Sequence, residues 1–293
     1  MNEKMGESFV KKVFLDTDIG PDCDDAGALQ VLHTLCTEGC AQLLGITHCT
    51  SNPHGLPAVS VINRYNGREV PLGTTRREGF LANGDKYNKA LDEQFDHEFK
   101  DGHMQRDARE VFKEVLTAQD DQSVTVIAIG PLNNIADYIS TEDGIALVRN
   151  KVCQLVCMAG HFDSLEPEWN IEMDMPSARY VLEKWPTPIV FCGWEAGSHV
   201  MTGAALEGKA GHPVREAYRL YTNGSMRRQS WDLLTVLYAV LGDCTWIRSS
   251  QSGVITVREN GATVFAACAG GQHRYTINGV SDEKLAGYLN MLL

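Results

Sequence analysis

Five aspartates fall within the ten residues from Asp16 to Asp25, directly after the apolar run Val13-Phe14-Leu15. Two like charges about 4 Å apart repel by roughly 4 kcal/mol at an effective dielectric near 20. A solvated tail would relieve that repulsion by spreading. Here the acids sit at the mouth of a strand, in a turn tightened by Gly20-Pro21, and the helical pattern of residues 26–35 follows at once. One acid at such a position is an ordinary helix cap, at Asp22 or Asp24. Five exceed what capping uses. Carboxylates converging at a strand's carboxyl end are hard oxygen ligands of the kind Ca²⁺ or Mg²⁺ takes.

The rest of the chain excludes several classes. A formal net charge of −12 and a pI near 5.2 leave no basic stripe for nucleic acid. No apolar run approaches the roughly 18 residues of a membrane span, and the N-terminus Met1–Ser8 is polar, without the apolar centre of a secretory signal. The nine cysteines form no Cys-x-x-Cys pair, so a reducing, cytoplasmic setting is expected. No repeat or linker interrupts the 293 residues, which read as a single domain.

Apolar runs alternate with amphipathic ones, which predicts an α/β fold: an open, mostly parallel sheet flanked by helices. Strands are expected at residues 12–16, 42–48, 70–73, 124–129, 154–158 and 189–192. Helices are expected at 26–35, 58–66, 106–118, 132–139, 176–185, 214–220, 232–241 and 282–293, with a C-terminal β-hairpin, 253–257 and 262–268, around Asn260-Gly261. Residues 79–102 have weak periodicity and many charges, the mark of a functional loop or a mobile insert. In such sheets the ligand lies beyond the carboxyl ends of the strands. Those ends carry Asp16–Asp25, then His48, Thr50 and Asn52, then Gly130–Asn134, then His161, Glu168, Trp169 and Asn170, with Trp231-Asp232 opening a later helix.

These blocks resemble, in order, the inosine–uridine-preferring nucleoside hydrolases. Asp-Thr-Asp-x-Gly…Asp-Asp-Ala at Asp16–Ala26 is similar to the family's N-terminal signature. Leu44-Gly45-Ile46-Thr47 with Asn52, Val70–Gly73, Gly130-Pro131-Leu132-Asn133-Asn134, Glu168-Trp169-Asn170 and Ser230-Trp231-Asp232 continue it across residues 12–245. The resemblance implies a nucleoside-hydrolase-like fold and hydrolysis of a ribonucleoside to free base and ribose. It implies a Ca²⁺ held by Asp18, Asp25, Asp232 and the Ile129 backbone carbonyl. Asp18 would be the general base toward a water held by that ion, which attacks C1′ as positive charge builds on the ribose. Asp24 would bind the ribose hydroxyls with Asn52, Glu168 and Asn170, the last two pointing the same way if their stretch is extended. A homo-oligomer, dimer or tetramer, is implied as well.

The chain departs from the family pattern in two informative places. Pro21-Asp22-Cys23 puts three residues where one usually separates the glycine from the aspartate pair, so Asp22 competes with Asp24 for the ribose. Trp231 stands where many members place a histidine that protonates the leaving base, and an indole N–H is no acid at neutral pH. His161, or stacking on Trp169 or Trp231, is then expected to help the base depart. Arg227-Arg228 reads as a solvated pair. Two alternatives stay open: a ribose or nucleoside binder without turnover, and a haloacid-dehalogenase-like phosphatase, suggested by Asp16-Thr17-Asp18.

Overall fold

The computed structural model describes residues 10–293; the polar stretch read as lacking a secretory signal lies outside them. The first strand, β1 (Lys11–Thr17), alternates its side chains between two apolar cores, Val13 and Leu15 into one and Phe14 into the other. It runs through the acid loop into α1 (Asp24–Thr37), followed by β2 (Ala41–His48), α2 (Gly55–Tyr65), β3 (Leu72–Thr74), α3 (Asn88–Gln94), β4 (Arg106–Asp107) and α4 (Ala108–Thr117). The chain then crosses to the other side of β1. There it lays down β5 (Val124–Ala128), α5 (Asn133–Tyr138), α6 (Glu142–Lys151), β6 (Val152–Met158), α7 (Trp169–Met173), α8 (Met175–Lys184) and β7 (Ile189–Cys192). After α9 (Trp194–Gly197), β8 (Met201–Thr202), α10 (Pro213–Tyr221) and β9 (Arg228–Gln229) comes α11 (Trp231–Leu241). The C-terminal part holds β10 (Ile247–Ser249), β11 (Gly253–Val257), β12 (Thr263–Ala267), β13 (His273–Asn278) and α12 (Asp282–Leu292).

Eleven strands make one sheet in the order β12-β11-β13-β7-β6-β5-β1-β2-β3-β4, with β10 beside β13. The pairs from β4 across to β13 are parallel, and the strands beyond are antiparallel. The strand order reverses between β1 and β5, so the crevice at their carboxyl ends is where such a sheet holds a ligand. Helix α1 is buried on nearly its whole circumference because it packs on β2 and is surrounded by α11, α2, α10 and α12.

The expected open sheet and C-terminal hairpin are present, with three adjustments. The helix expected from residue 106 starts two residues later, because Arg106-Asp107 pairs with β3 and the Asp107 carboxylate caps α4 through the Arg109 N–H at 2.8 Å. Strand β13, unexpected, seats the hairpin on the sheet through β7. The Glu168-Trp169-Asn170 stretch is not extended: Trp169 opens α7 and Glu168 is its cap.

The buried His33 contributes its own pH dependence to the fold. His33, on α1, shares a hydrogen bond with Asn63 Oδ1 at 2.8 Å, and burial lowers its pKa to about 4 from an ordinary 6.5. At this group the unfolded chain therefore binds the extra proton first, and the stability His33 contributes is lost as pH drops from about 6.5 toward 4. At 1.36 kcal/mol per pKa unit the effect is bounded at about 3 kcal/mol. Denaturation midpoints of wild type and His33→Leu across that range check it: the stability of wild type relative to the variant should fall as the pH drops.

Candidate active site

The acid loop is built by close approach. Gly20 has φ of +135°, and a Cβ there would stand 2.5 Å from Asn88 Nδ2 and 2.6 Å from the Gly84 carbonyl. Residues 79–102 lie against this loop and fasten it. The Asn88 amide donates to the Ile19 carbonyl at 2.6 Å, the Tyr87 hydroxyl to the Asp22 carbonyl at 2.7 Å, and the Lys86 N–H to the Gly20 carbonyl at 3.1 Å. Of the two readings of that segment, the structure favours the functional loop. Across the crevice Gly130 lets β5 close on β1, since a Cβ there would meet the Asp18 Cβ at 2.9 Å.

The five aspartates divide by role. Asp16 is fully buried and accepts from Thr47 Oγ1 at 2.5 Å and Asn134 Nδ2 at 2.8 Å, which makes it a strut between β1, β2 and α5. Asp24 and Asp25 form the first turn of α1. Asp24 Oδ2 accepts the Trp231 and Asp232 N–H groups at 3.2 Å each, at the N-terminus of α11, and Asp25 Oδ1 accepts from Thr17 Oγ1 at 2.5 Å. Carboxylate oxygens of Asp24, Asp25 and Asp232 all lie within 4.8 Å of one another. Asp18, expected among the metal ligands, lines the same cavity but falls outside that triplet. Asp22 lines the same cavity and pairs with Arg228.

The cavity encloses about 530 Å³. Asp18, Asp24, Asp25, Asp232 and Ile129 line one part, Glu168 and Asn170 another, and Trp169, Trp194 and Trp231 supply aromatic faces. Burial raises the pKa of every carboxylate among them. Asp18 is pushed up to about 7, Asp22 adding to the rise and a hydrogen bond shared with Asp25 opposing it. Asp24, Asp25 and Asp232 are driven up first by burial and then by neighbouring carboxylates: Asp22 and Asp18 act on Asp24, Asp18 and Asp24 on Asp25, and Asp24 and Asp25 on Asp232. Buried acids this close are all oxygen donors, and the Arg228 charge offsets the rise at Asp24 only in part; they fit a hard divalent cation, which would return them to the charged form.

Glu168 is held more tightly than its expected ribose role suggests. Its carboxylate accepts the N–H groups of Gly160 at 3.0 Å, Asn170 at 2.8 Å and Ile171 at 3.2 Å, yet burial still lifts its pKa to about 7. The Asn170 amide donates to the Met158 carbonyl at 3.0 Å. Two expected substrate ligands do not line the cavity. Asn52 spends its amide on the Ala82 carbonyl and the His54 N–H, tying β2's exit to the 79–102 loop. His161 pairs with Asp163 at 2.8 Å, and its ring leans on Trp194 from outside. Conversely, Lys86, Trp194, Tyr221 and Arg228 line the cavity without having been expected there. Arg228 is no solvated residue: it is half-buried and paired.

A model of the "Inosine-uridine preferring nucleoside hydrolase" family matches residues 13–280. The chain belongs to this family. The nucleoside hydrolase match reaches beyond the residues whose motifs carry the sequence resemblance, and the family acts on N-ribosidic bonds. The phosphatase alternative, resting on Asp16-Thr17-Asp18 alone, is thereby overturned. No curated protein matches this nucleoside hydrolase by sequence. Among solved structures it is similar to a plant nucleoside hydrolase, the PpNRh1 enzyme, at 20% identity with a TM-score of 0.70, covering 96% of this chain and 98% of that one. It is also similar to an inosine-guanosine nucleoside hydrolase, at 18% identity with a TM-score of 0.74 over 96% and 98%. A third is the type III effector XopQ complexed with adenosine diphosphate ribose, at 17% identity with a TM-score of 0.67 over 97% and 93%. At these identities the likeness is one of fold.

Proposed function

We propose that this chain is a calcium-dependent ribohydrolase that cleaves the N-glycosidic bond of ribonucleosides. The observation that carries the reading is the convergence of Asp18, Asp24, Asp25 and Asp232, all buried, at the point where the strand order reverses. Asp25, Asp232, Asp24 and the Ile129 carbonyl would hold the ion. When bound, it supplies Lewis acidity that makes water a stronger nucleophile and neutralises the acids around it. Asp18, returned to the carboxylate form by that charge, accepts the proton of the water attacking C1′. Asp24, Glu168 and Asn170 hold the ribose hydroxyls, and the fixed N–H donors on Glu168 keep its carboxylate from turning away. Negative charge around the sugar stabilises the oxocarbenium-like ring as the bond to the base stretches. The three tryptophans give the base flat apolar faces.

Incubating the protein with a panel of ribonucleosides, with calcium and with chelator, tests the reading. Calcium-dependent appearance of free base and ribose supports it. Absence of turnover on every riboside sinks it. A second reading, a nucleoside binder without turnover, is favoured by the absence of any histidine lining the cavity among the described residues. Binding without product would select it.

The leaving base is expected to depend on Trp169 rather than His161. Trp169 lines the cavity with half its surface exposed, as a stacking face awaiting a partner would be. Stacking of a base on an aromatic ring is worth about 1–3 kcal/mol, so Trp169→Ala should lower kcat/KM on nucleosides roughly 10- to 100-fold. His161→Ala, whose ring touches the cavity only through Trp194, should stay within a few-fold of wild type. A large defect confined to His161→Ala would make that histidine the acid.

A further inference from the structure

We propose that Arg228 stabilises the departing base, supplying a fixed positive charge where a proton donor would otherwise act; this deepens the ribohydrolase reading and rests on it. Trp231 cannot fill that place, because its indole N–H is committed to the Trp194 carbonyl at 2.7 Å. The acids and the Glu168–Asn170 pair claim the ribose end of the cavity. The region bounded by Trp231, Tyr221 and Arg228 is left for the base. There the guanidinium carbon of Arg228 lies 5.0 Å from the centre of the Trp231 ring and 5.2 Å from that of Tyr221, cation–π distances that hold the group between two aromatic faces. Its Nε–H donates to Asp22 at 2.9 Å, one terminal nitrogen also reaches Asp22, and the other donates to Gln229 Oε1 at 2.8 Å. A guanidinium has five N–H donors, so two remain for a ligand.

Asp22 belongs to the lengthened Pro21-Asp22-Cys23 turn, and the pair therefore ties the acid loop to β9 across the cavity mouth. The aspartate sets the plane of the guanidinium. The permanently charged group cannot give up a proton, and its contribution is to attract charge. As the C1′–N bond breaks, its electron pair stays on the base, and the two free N–H groups hydrogen-bond the anion that develops. The water oxygen forms the new bond to C1′ and its proton passes to Asp18. The released base takes a proton from solvent, to which Asp18 later returns its own.

The test compares wild type, Arg228→Ala and Arg228→Lys on inosine and uridine and on p-nitrophenyl riboside, whose leaving group is already a stable anion. Losing one donor aimed at developing charge typically lowers kcat about 10²- to 10³-fold. Arg228→Ala should lose that much on the nucleosides and less than about tenfold on the activated riboside. Arg228→Lys, which keeps the charge, should fall between them, and added guanidinium chloride at non-denaturing concentration should restore part of the Arg228→Ala rate on inosine. Equal losses on both substrate types, with no rescue, would mean that the pair only braces the loop and would overturn the proposal alone. A wild-type protein inactive on every riboside would instead overturn the ribohydrolase reading, and this proposal with it.

Discussion

Replacing Asp18 by asparagine is expected to lower kcat on ribonucleosides by 10²- to 10⁴-fold, the range a positioned general base contributes, while the cavity keeps its ligand. Asparagine preserves the shape of the side chain and leaves an oxygen that can face an ion. It removes the cavity carboxylate that shares a hydrogen bond with Asp25 yet lies outside the Asp24–Asp25–Asp232 triplet. The fold should not suffer. Burial holds the Asp18 pKa near 7, so the charged form is disfavoured where it stands. Without a cation the variant should therefore unfold at the same temperature as wild type or higher. Three measurements decide the matter: calcium content, affinity for a ribonucleoside and kcat. A kcat reduced by less than about tenfold, with calcium and affinity intact, would show that Asp18 is not the base.

What the sequence disclosed is what is local. The acid loop and the Gly-Pro-Leu turn after β5 can be read because each follows a strong apolar run, and the Trp231-Asp232 helix start because it leads into one. A parallel sheet also puts all such ends on one edge. What stayed hidden depends on contacts distant in sequence or on which way a side chain faces. Arg228 and Asp22 are 206 residues apart, and nothing near Arg228 distinguishes it from a solvated arginine. Asn52 and His161 do follow strands, as read, but their side chains turn to the Ala82 carbonyl and to Asp163 instead of inward. Helix α6 escaped because its apolar stripe is short: Val148 is buried, and Ile145 and Leu147 are only partly buried against the core. Strand β13, His273-Arg274-Tyr275-Thr276-Ile277-Asn278, buries Thr276 and exposes Ile277, so its burial does not follow its alternation of polar and apolar residues. That Asp24 and Asp25 are the pair opening α1 was legible, because Ala26 and the helical pattern follow directly, whereas their meeting with Asp232 was not; the lengthened turn left Asp22 as a competitor of Asp24. The fold settles where each lies: Asp24 accepts the first N–H groups of α11, and Asp22 faces the cationic rim.

Asp25→Ala should abolish calcium retention and bring turnover below detection. Asp25 lies at the start of α1, fixed by Thr17 Oγ1, within the triplet whose oxygens converge. Its pKa is raised by burial first and then by the charges of Asp18 and Asp24, so without a cation it is a source of repulsion. Two opposite effects on stability follow. In chelator, removing this buried charge should leave the variant at least as stable as wild type. With calcium at 100 times its dissociation constant, wild type gains about 2.7 kcal/mol by mass action, and the variant gains nothing. The reversal of rank between the two buffers separates loss of a ligand from simple misfolding, which would lower stability in both. Asp25→Asn, nearly isosteric, guards against a cavity effect and should lose most of its calcium because a neutral amide oxygen binds a divalent ion more weakly than a carboxylate. A variant that retains calcium at full stoichiometry would remove Asp25 from the ligand set. The triplet would then be a substrate-binding acid cluster, and the source of calcium binding, if any, would have to be sought at Asp18 and the Ile129 carbonyl.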